Sequence, residues 1–190
     1  MTNQSRLATA ARRGVPRVAI VQLSGAALQA LADGDLAAAN REAAVPLTRY
    51  FVDPDWRSTW RRRAQQVKDD RTSLDWVTGV IWDVERQLAV GRAGYHGPPD
   101  ETGMVEVGYA VAPAYRRQGY ARAALEALLG RAARVPGVRT VRASIRPDNT
   151  ASRDLVVQYR FREVGTQEDD EDGLEIIYEV DVAGTRSATP

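Results

Sequence analysis

The sequence has no cysteine, and this absence removes several kinds of chemistry at once. The chain can form no disulfide, no cysteine-ligated zinc site and no covalent intermediate on a thiol. We therefore predict that the protein holds no metal ion. Histidine is nearly absent as well, since His96 is the only one in 190 residues.

Long apolar runs are also missing. No stretch of about 18 apolar residues occurs, so we predict that nothing spans a membrane. The N-terminal residues include arginines, but no continuous apolar segment follows them, and we expect no signal peptide. The 26 basic and 25 acidic residues leave a net charge of +1, which argues against binding to nucleic acid through bulk electrostatics. These absences favour a cytoplasmic protein.

A chain of 190 residues suits one domain of ordinary size. No internal repeat and no long linker divides it. We predict a disordered leader over residues 1–16, a single domain over 17–182 and a flexible tail over 183–190. A basic arm that binds nucleic acid is the alternative for the leader. Runs rich in β-branched and aromatic residues predict a hairpin of two strands over 76–82 and 88–95.

The most informative stretch is Arg116–Ala121, which reads RRQGYA. A strand-like run over 105–112 precedes it, and the pattern over 122–134 predicts an amphipathic helix after it. The first turn of a helix has unpaired backbone amides and partial positive charge, and Gly119 leaves room for a bulky anion to approach them. This unit of strand, turn and helix therefore predicts a phosphate or pyrophosphate site.

The spacing of this stretch differs from two other phosphate loops, because it contains neither the Gly-Lys-Ser/Thr of a Walker motif nor G-x-G-x-x-G. Its pattern, R-x-x-G-x-A, resembles the acyl-CoA pyrophosphate loop of the GNAT N-acetyltransferase superfamily. Further along, a strand over 140–145, a turn over 147–152 and a helix over 151–159 resemble the second half of the same family's core. The resemblance covers about Trp76 to Val182.

The resemblance implies both a fold and an activity. The fold is the α/β GNAT fold, with a mixed, mostly antiparallel and bent sheet of about seven strands flanked by helices. Acetyl-CoA lies where two central strands splay apart, and its acetyl group passes directly to a primary amine in a ternary complex. The acceptor is a protein N-terminus or a small-molecule amine, as in the branch that acetylates ribosomal-protein N-termini. Family members are often dimers, which allows a homodimer here.

Within the resemblance, three groups of residues match positions that hold acetyl-CoA. The strand before the loop pairs with the pantetheine arm and supplies a backbone N–H to the oxyanion. The loop holds the pyrophosphate, and an Asn-x-x-Ser pair lies near the pantetheine and the thiol. The matching residues are Tyr109, Ala110 and Val111 in the strand; Arg116, Arg117, Gln118, Gly119, Tyr120, Ala121 and Arg122 in the loop; and Asn149 and Ser152 in the pair.

Three residues are candidates for catalysis. Glu106 matches the family's Glu-x-Gly-Tyr and is the candidate general base, although a carboxylate in this strand could instead point to solvent. Ser152 is a candidate acid for the leaving thiolate. Many family members use a tyrosine for that task at the position of Val156, and Tyr159, one helical turn later, is the other candidate. The helix then ends on Arg160 where the family usually has glycine.

The acceptor side is less specific in the sequence. Tyr50, Phe51 and Trp56 are candidate walls of the acceptor pocket, and core packing is the alternative for each of them. His96 is a candidate at the rim of this pocket, with a structural role at the strand end as the alternative. The acidic run over 168–172 is either a solvated turn or a local attraction for a cationic amine.

Two other functions remain open from the sequence. A non-catalytic acyl-CoA sensor would have the same fold and would bind CoA without turnover. A nucleic-acid-binding protein would use the arginine-rich helix around Arg61–Arg63, and its affinity would fall steeply with salt.

Overall fold

Seven strands and five α-helices make up the described chain. They are seen in a computed structural model, which describes residues 15–170 and 173–182. The strands are β1 (Val18–Val21), β2 (Gly79–Asp83), β3 (Leu88–Tyr95), β4 (Met104–Val111), β5 (Thr140–Ile145), β6 (Arg162–Asp169) and β7 (Gly173–Asp181). The helices are α1 (Gly25–Asp33), α2 (Leu36–Glu42), α3 (Arg57–Asp69), α4 (Tyr120–Ala132) and α5 (Thr150–Gln158).

All seven strands belong to one sheet, in the order β1-β2-β3-β4-β5-β7-β6. Every neighbouring pair is antiparallel except β4 and β5, which are parallel. The connection between those two strands contains α4, as a parallel crossover requires. The predicted fold class, a mixed and mostly antiparallel sheet of about seven strands with helices, is confirmed.

The two parallel strands separate soon after they meet. They pair from Met104 and Thr140 only as far as Glu106 and Arg142. Beyond that point β4 continues to pair with β3 on its other side, and β5 continues to pair with β7. A wedge-shaped cleft therefore opens in the middle of the sheet, between the C-terminal halves of the two strands.

A hydrophobic layer packs on each face of the sheet. On one face, α4 and α5 bury Tyr120, Leu125 and Val156 against the central strands. On the other face, α1 to α3 bury a separate cluster that includes Phe51 and Trp60, both fully inaccessible to solvent. Burying one such side chain stabilises the fold by about 1.5–3 kcal/mol. The cleft is therefore framed by two rigid layers.

The predicted hairpin over 76–82 and 88–95 forms as β2 and β3, although β2 begins only at Gly79. The acidic run over 168–172 lies at the β6–β7 hairpin, where Asp169 pairs with Gly173, but residues 171 and 172 lie outside the described part.

The predicted leader and tail lie almost wholly outside the described residues and remain predictions. Pro16, at the end of that leader, is described and lies beside the predicted phosphate loop. Among the helices that the structure describes, none combines the length and the apolar character needed to cross a membrane.

Candidate active site

A cavity of about 280 Å³ occupies the cleft between β4 and β5. Its walls come from α3, from β3 and β4, and from the end of β5 with the start of α5. The lining includes five residues predicted from the sequence: His96, Tyr109, Ala110, Asn149 and Ser152. A sixth, Trp56, borders the cavity from just before α3.

The predicted phosphate loop leads directly into the N-terminus of α4. Gly119 caps this helix in a left-handed conformation, with φ of 87°, and supplies no side chain to bond the first amides. The first helical bond is donated by Ala123 to the carbonyl of Gly119, so the backbone N–H groups of residues 119–122 have no acceptor within the helix. Arg117 is also left-handed, with φ of 60°. Together with the helix dipole, these amides form an anion site.

The side chain of Tyr120 anchors this loop to the sheet, so Tyr120 offers only its backbone amide to the anion site. Its side chain is buried, and its hydroxyl donates a hydrogen bond of 2.5 Å to Asp83 Oδ2 at the end of β2. Burial alone would raise the pKa of Asp83, but hydrogen bonds from Tyr120 and from the amides of Arg86 and Glu85 outweigh it and lower that pKa. Arg86 also donates to the Tyr120 hydroxyl at 2.8 Å.

The arginines of the loop divide into two kinds. Arg116 and Arg117 are exposed beside the free amides, and Arg116 Nε donates to the carbonyl of Val111 at 3.2 Å. The side chain of Arg122 turns away and donates to Tyr159 and Gln158 on α5. Arg122 therefore offers the anion site its backbone amide rather than its guanidinium group.

The backbone of β4 presents unpaired groups to the cleft. Glu106 accepts from the N–H of His96, and Ala112 donates to Val90, so the even-numbered residues of this segment bond to β3. The odd-numbered residues, Tyr109 among them, direct their backbone groups to the opposite side, where β5 has already separated. An extended ligand arm can add to this strand edge.

Several buried polar atoms of the cavity lack a partner. The hydroxyls of Tyr109 and Ser144 and the indole N–H of Trp56 have no hydrogen-bond partner among the described residues. Burial raises the pKa of Tyr109, and the nearby hydroxyl of Ser152 acts in the opposite direction. Asn149 caps α5 by accepting from the N–H of Ser152 at 3.2 Å. Such unpaired groups are costly unless a polar ligand or water satisfies them.

Glu106 lies at the point where the two strands part. Its carboxylate is 18% exposed and does not itself line the cavity, but Oε1 is 3.5 Å from Nδ1 of His96, which lines the cavity and directly follows β3. A Cβ on Gly108 would lie only 2.9 Å from Nε2 of His96, so this glycine makes room for the ring over β4. Burial and the positive charges of Arg63, Arg62 and Arg92 lower the pKa of His96, whereas Glu106 raises it.

The predicted aromatic walls separate into two groups. Tyr50 lies over β4, where its hydroxyl donates to the carbonyl of Ala110 at 3.4 Å, and Trp56 packs against Tyr50 and borders the cavity. Phe51 does not reach the cavity, because it is fully buried against Trp60. For Phe51 the structure therefore supports the core alternative.

The end of α5 does not reach the cavity either. Val156, at the position where the resemblance expects a tyrosine, is fully buried in the core. The Tyr159 hydroxyl donates to Glu126 and accepts from Arg122, both on α4, and burial together with Glu126 raises its pKa to about 12. Arg160, at the position where the resemblance expects glycine, follows α5 in the left-handed conformation, with φ of 64°.

Sequence reasoning missed three residues that matter here. Arg63 is almost fully buried within the cavity wall, Arg92 projects from β3, and Asp83 supports the loop. A signal existed for Arg92, because it interrupts an apolar strand in the same way as Glu106. A signal existed for Arg63 too, because it lies three residues after Trp60 and four before Val67, on the same face of α3 as these two buried residues. Across residues 15–170 and 173–182, no group of three His, Cys, Asp or Glu side chains could hold a metal ion.

Comparison with known proteins identifies relatives in both sequence and structure. The family model for the acetyltransferase (GNAT) domain matches residues 27–162. A Bacillus subtilis protein, the uncharacterized N-acetyltransferase YjdG, is 35% identical over 82 residues, which cover 43% of this chain and 49% of YjdG. The chain thus matches about half the length of its curated relatives.

Two solved structures share the fold over nearly their whole length. The ribosomal L7/L12 alpha-N-protein acetyltransferase RimL, in complex with coenzyme A, superposes with a TM-score of 0.61 at 15% identity, over 90% of this chain and 98% of RimL. A mutant of the spermidine N-acetyltransferase SpeG from Vibrio cholerae gives 0.63 at 13% identity, over 90% and 98%. At these identities the similarity shows the fold alone.

Proposed function

Because this chain belongs to the GNAT acetyltransferase family, we propose that it transfers the acetyl group of acetyl-CoA directly to a primary amine in a ternary complex. One observation carries the proposal: the uncapped N-terminus of α4 follows directly from the strand that borders the cleft. An anion site and an open strand edge are thereby joined in one continuous path. No cysteine is available for a covalent relay, which favours direct transfer.

The path can hold acetyl-CoA along its whole length. The amides of residues 119–122 would bind the pyrophosphate, with Arg116 and Arg117 adding charge. The pantetheine arm would pair with the open edge of β4 at Tyr109 and at the N–H of Val111, whose carbonyl accepts from Arg116, and this brings the thioester to the cavity. A backbone N–H on this edge would stabilise the oxyanion, because it is fixed in place before the reaction begins.

We assign the removal of the amine proton to Glu106, acting directly or through a water molecule. The amine nitrogen attacks the thioester carbonyl carbon, the carbon–sulfur bond breaks, and the amine proton passes to Glu106. The leaving thiolate takes a proton to become free CoA. His96, beside Glu106, is neutral at neutral pH because its pKa is lowered, and it therefore adds no positive charge that would repel an ammonium ion.

Ser152 is the better-supported donor of the thiolate proton. It lines the cavity next to the unpartnered hydroxyl of Tyr109. Tyr159, the other candidate, is seven residues further along α5, about 10 Å by helical rise, and its hydroxyl is engaged by α4. The assignment of Tyr159 stays a prediction that this geometry does not support.

The acceptor is proposed at the level of a primary amine. Structural neighbours include enzymes named for a ribosomal-protein N-terminus and for spermidine, which span both acceptor types expected from the sequence. The predicted cytoplasmic location and the predicted homodimer stay predictions.

The test is release of free CoA thiol from acetyl-CoA against a panel of N-terminal peptides, lysine peptides, polyamines and aminoglycosides. We expect turnover with at least one class, and a fall in kcat of about 10²–10⁴-fold for Glu106→Gln. Glu101→Gln, an exposed carboxylate in the loop before β4, is the matched control and should keep full activity.

The other outcomes of this experiment separate the alternatives. CoA binding without turnover on any amine would favour the acyl-CoA sensor. Failure to bind CoA at all would overturn the proposal. An unchanged kcat in Glu106→Gln would remove Glu106 from the mechanism and leave the transfer activity standing.

A further inference from the structure

Three arginine side chains border the cavity. Arg62 and Arg63 are adjacent on α3, and Arg92 projects from β3. Arg63 is 4% exposed, whereas Arg62 is open to solvent. The Arg92 guanidinium lies 4.1 Å from the centre of the Trp56 ring, which orients it at the cavity wall.

The hydrogen bonds of Arg63 go to uncharged acceptors. It donates to the carbonyl of His96 at 2.9 Å, to Gln66 Oε1 at 2.8 Å and to Thr78 Oγ1 at 3.3 Å. Burying a guanidinium ion without a carboxylate bonded to it is unfavourable, because water stabilises the charge better than neutral groups do.

The three guanidinium groups are close enough to influence one another. Burial, followed by the charges of Arg62 and Arg92, lowers the pKa of Arg63 to about 10, and Glu106 acts in the opposite direction. Arg63 therefore remains positively charged at pH 7. The charges of Arg62 and Arg92 thus act against that of Arg63 along one wall of a cavity that also contains unpartnered hydroxyls.

We infer that the acceptor is an amine that also carries an anionic group, a carboxylate or a phosphate, and that Arg62, Arg63 and Arg92 bind this group while the nitrogen faces Glu106. The inference rests on the proposed acetyl transfer. An anion at this position would relieve the repulsion among the three cations and would form charge-assisted hydrogen bonds with them.

The phosphates of CoA are a less suitable partner for these arginines. The predicted phosphate loop, Arg116–Ala121, is called the anion loop below. It follows the C-terminal end of β4, whereas Glu106 and His96 lie where the cleft begins. Five residues of extended strand separate Glu106 from Val111, a span of about 17 Å. Arg63 lies at the Glu106 end, because it bonds the carbonyl of His96, and Arg62 is its neighbour on α3. Arg92 starts further along, opposite Ala110, and its charge acts on both Arg63 and His96.

This arrangement differs from the cationic acceptor that the acidic run over 168–172 suggested. Glu175 of β7 does line the cavity, so the site is not purely basic. Four arginines (Arg62, Arg63, Arg92 and Arg146) nevertheless line the same cavity, and Arg146 also pairs with Asp148. The basic side chains around the cavity therefore outnumber the acidic ones.

The test compares acceptors that differ by one charge and not in shape. Glutamic acid α-amide and glutamine α-amide represent small molecules, and the peptides Ala-Glu-Ala and Ala-Gln-Ala with amidated ends represent N-termini. We expect kcat/KM to be at least about 10-fold higher for the charged member of one pair, since hydrogen bonds between charged groups contribute about twice as much as neutral ones. Whichever pair responds identifies the source of the anion, and spermidine should be the poorest acceptor.

Arginine variants then identify the residues that cause the preference for the charged acceptor. Arg62→Gln and Arg92→Gln should each reduce the preference for the charged acceptor about 10-fold or more, with unchanged CoA affinity. Arg61→Gln is the matched control, because Arg61 is exposed on the same helix but borders a different groove. A parallel loss of CoA affinity would assign the arginines to CoA and overturn the inference.

Binding measurements separate this inference from the proposed function. Calorimetric titration of each amide into the protein saturated with CoA reports anion recognition without turnover. Tighter binding of the charged amide in the absence of turnover would support the anion site and count against acetyl transfer. Turnover with equal preference for both members of each pair would support acetyl transfer and overturn the anion site.

Discussion

The hydroxyl of Tyr120 donates a 2.5 Å hydrogen bond to Oδ2 of Asp83, and this contact joins the first residue of α4 to the last residue of β2. Asp83 is 2% exposed and also accepts from two backbone amides of the β2–β3 turn. The anion loop is therefore fixed to the sheet through one buried carboxylate. The amides that would bind pyrophosphate are held in place before any ligand arrives.

Removing the Tyr120 hydroxyl should destabilise the fold and loosen the anion loop. Tyr120→Phe leaves the Asp83 carboxylate buried with one partner fewer, so we expect the free energy of unfolding to fall by about 1–3 kcal/mol in urea titrations. CoA should also bind more weakly. Tyr115→Phe is the control, because its ring packs edge-on against Tyr120, and it should stay within about 0.5 kcal/mol of wild type. Equal losses in both variants would show that the hydrogen bond is not the cause.

The stabilisation by Asp83 should depend on pH. Its pKa is lowered in the folded state, so its contribution is complete above the unfolded value of about 3.9 and disappears as the pH falls through the folded value. Wild type should therefore exceed Asp83→Asn in stability by a constant amount between about pH 5 and 8. The difference should shrink below about pH 4. Thermal melts of both proteins across this range measure it, and a difference that grew in acid would contradict the assignment.

The anion loop could be predicted from sequence because it is local. Arg116–Ala121 carries its whole signal in six consecutive residues, and the strand before it and the helix after it follow from short patterns. Glu106 was found in the same way, as a carboxylate within a strand. These features need no knowledge of which strands are neighbours.

The opposite wall of the cavity depends on long-range packing and could not be predicted in this way. The spacing of Arg63 to Trp60 and Val67 puts it on the buried face of α3, but only the packed fold shows that its partners there are Thr78 and the carbonyl of His96. Phe51 is assigned to the core only when α3 packs over it.

Titration of His96 provides a direct test of the electrostatics of the site. It is the only histidine of the chain, so its ring proton signals in NMR spectra need no assignment. Burial and nearby arginines lower its pKa, and we expect a midpoint below the ordinary value of about 6.5. Glu106→Gln should lower the midpoint further, because the carboxylate favours the protonated ring, and Arg62→Gln should raise it. A midpoint above 6.5 in wild type would contradict the proposed arrangement of charges.

A methyl group on Gly119 should block the anion site. Gly119 has φ of 87°, and an added Cβ would lie 3.0 Å from Cδ of Pro16 and beside the free amides. Gly119→Ala should lose about 1–2 kcal/mol of stability from backbone strain and should bind CoA at least about 10-fold more weakly. Gly137→Ala is the matched control for strain, because Gly137 has φ of 90° and no neighbour within 4 Å of an added Cβ. Both variants should melt at lower temperature, but only Gly119→Ala should lose CoA affinity in calorimetric titration. Equal affinity in the two variants would mean that CoA does not approach the start of α4.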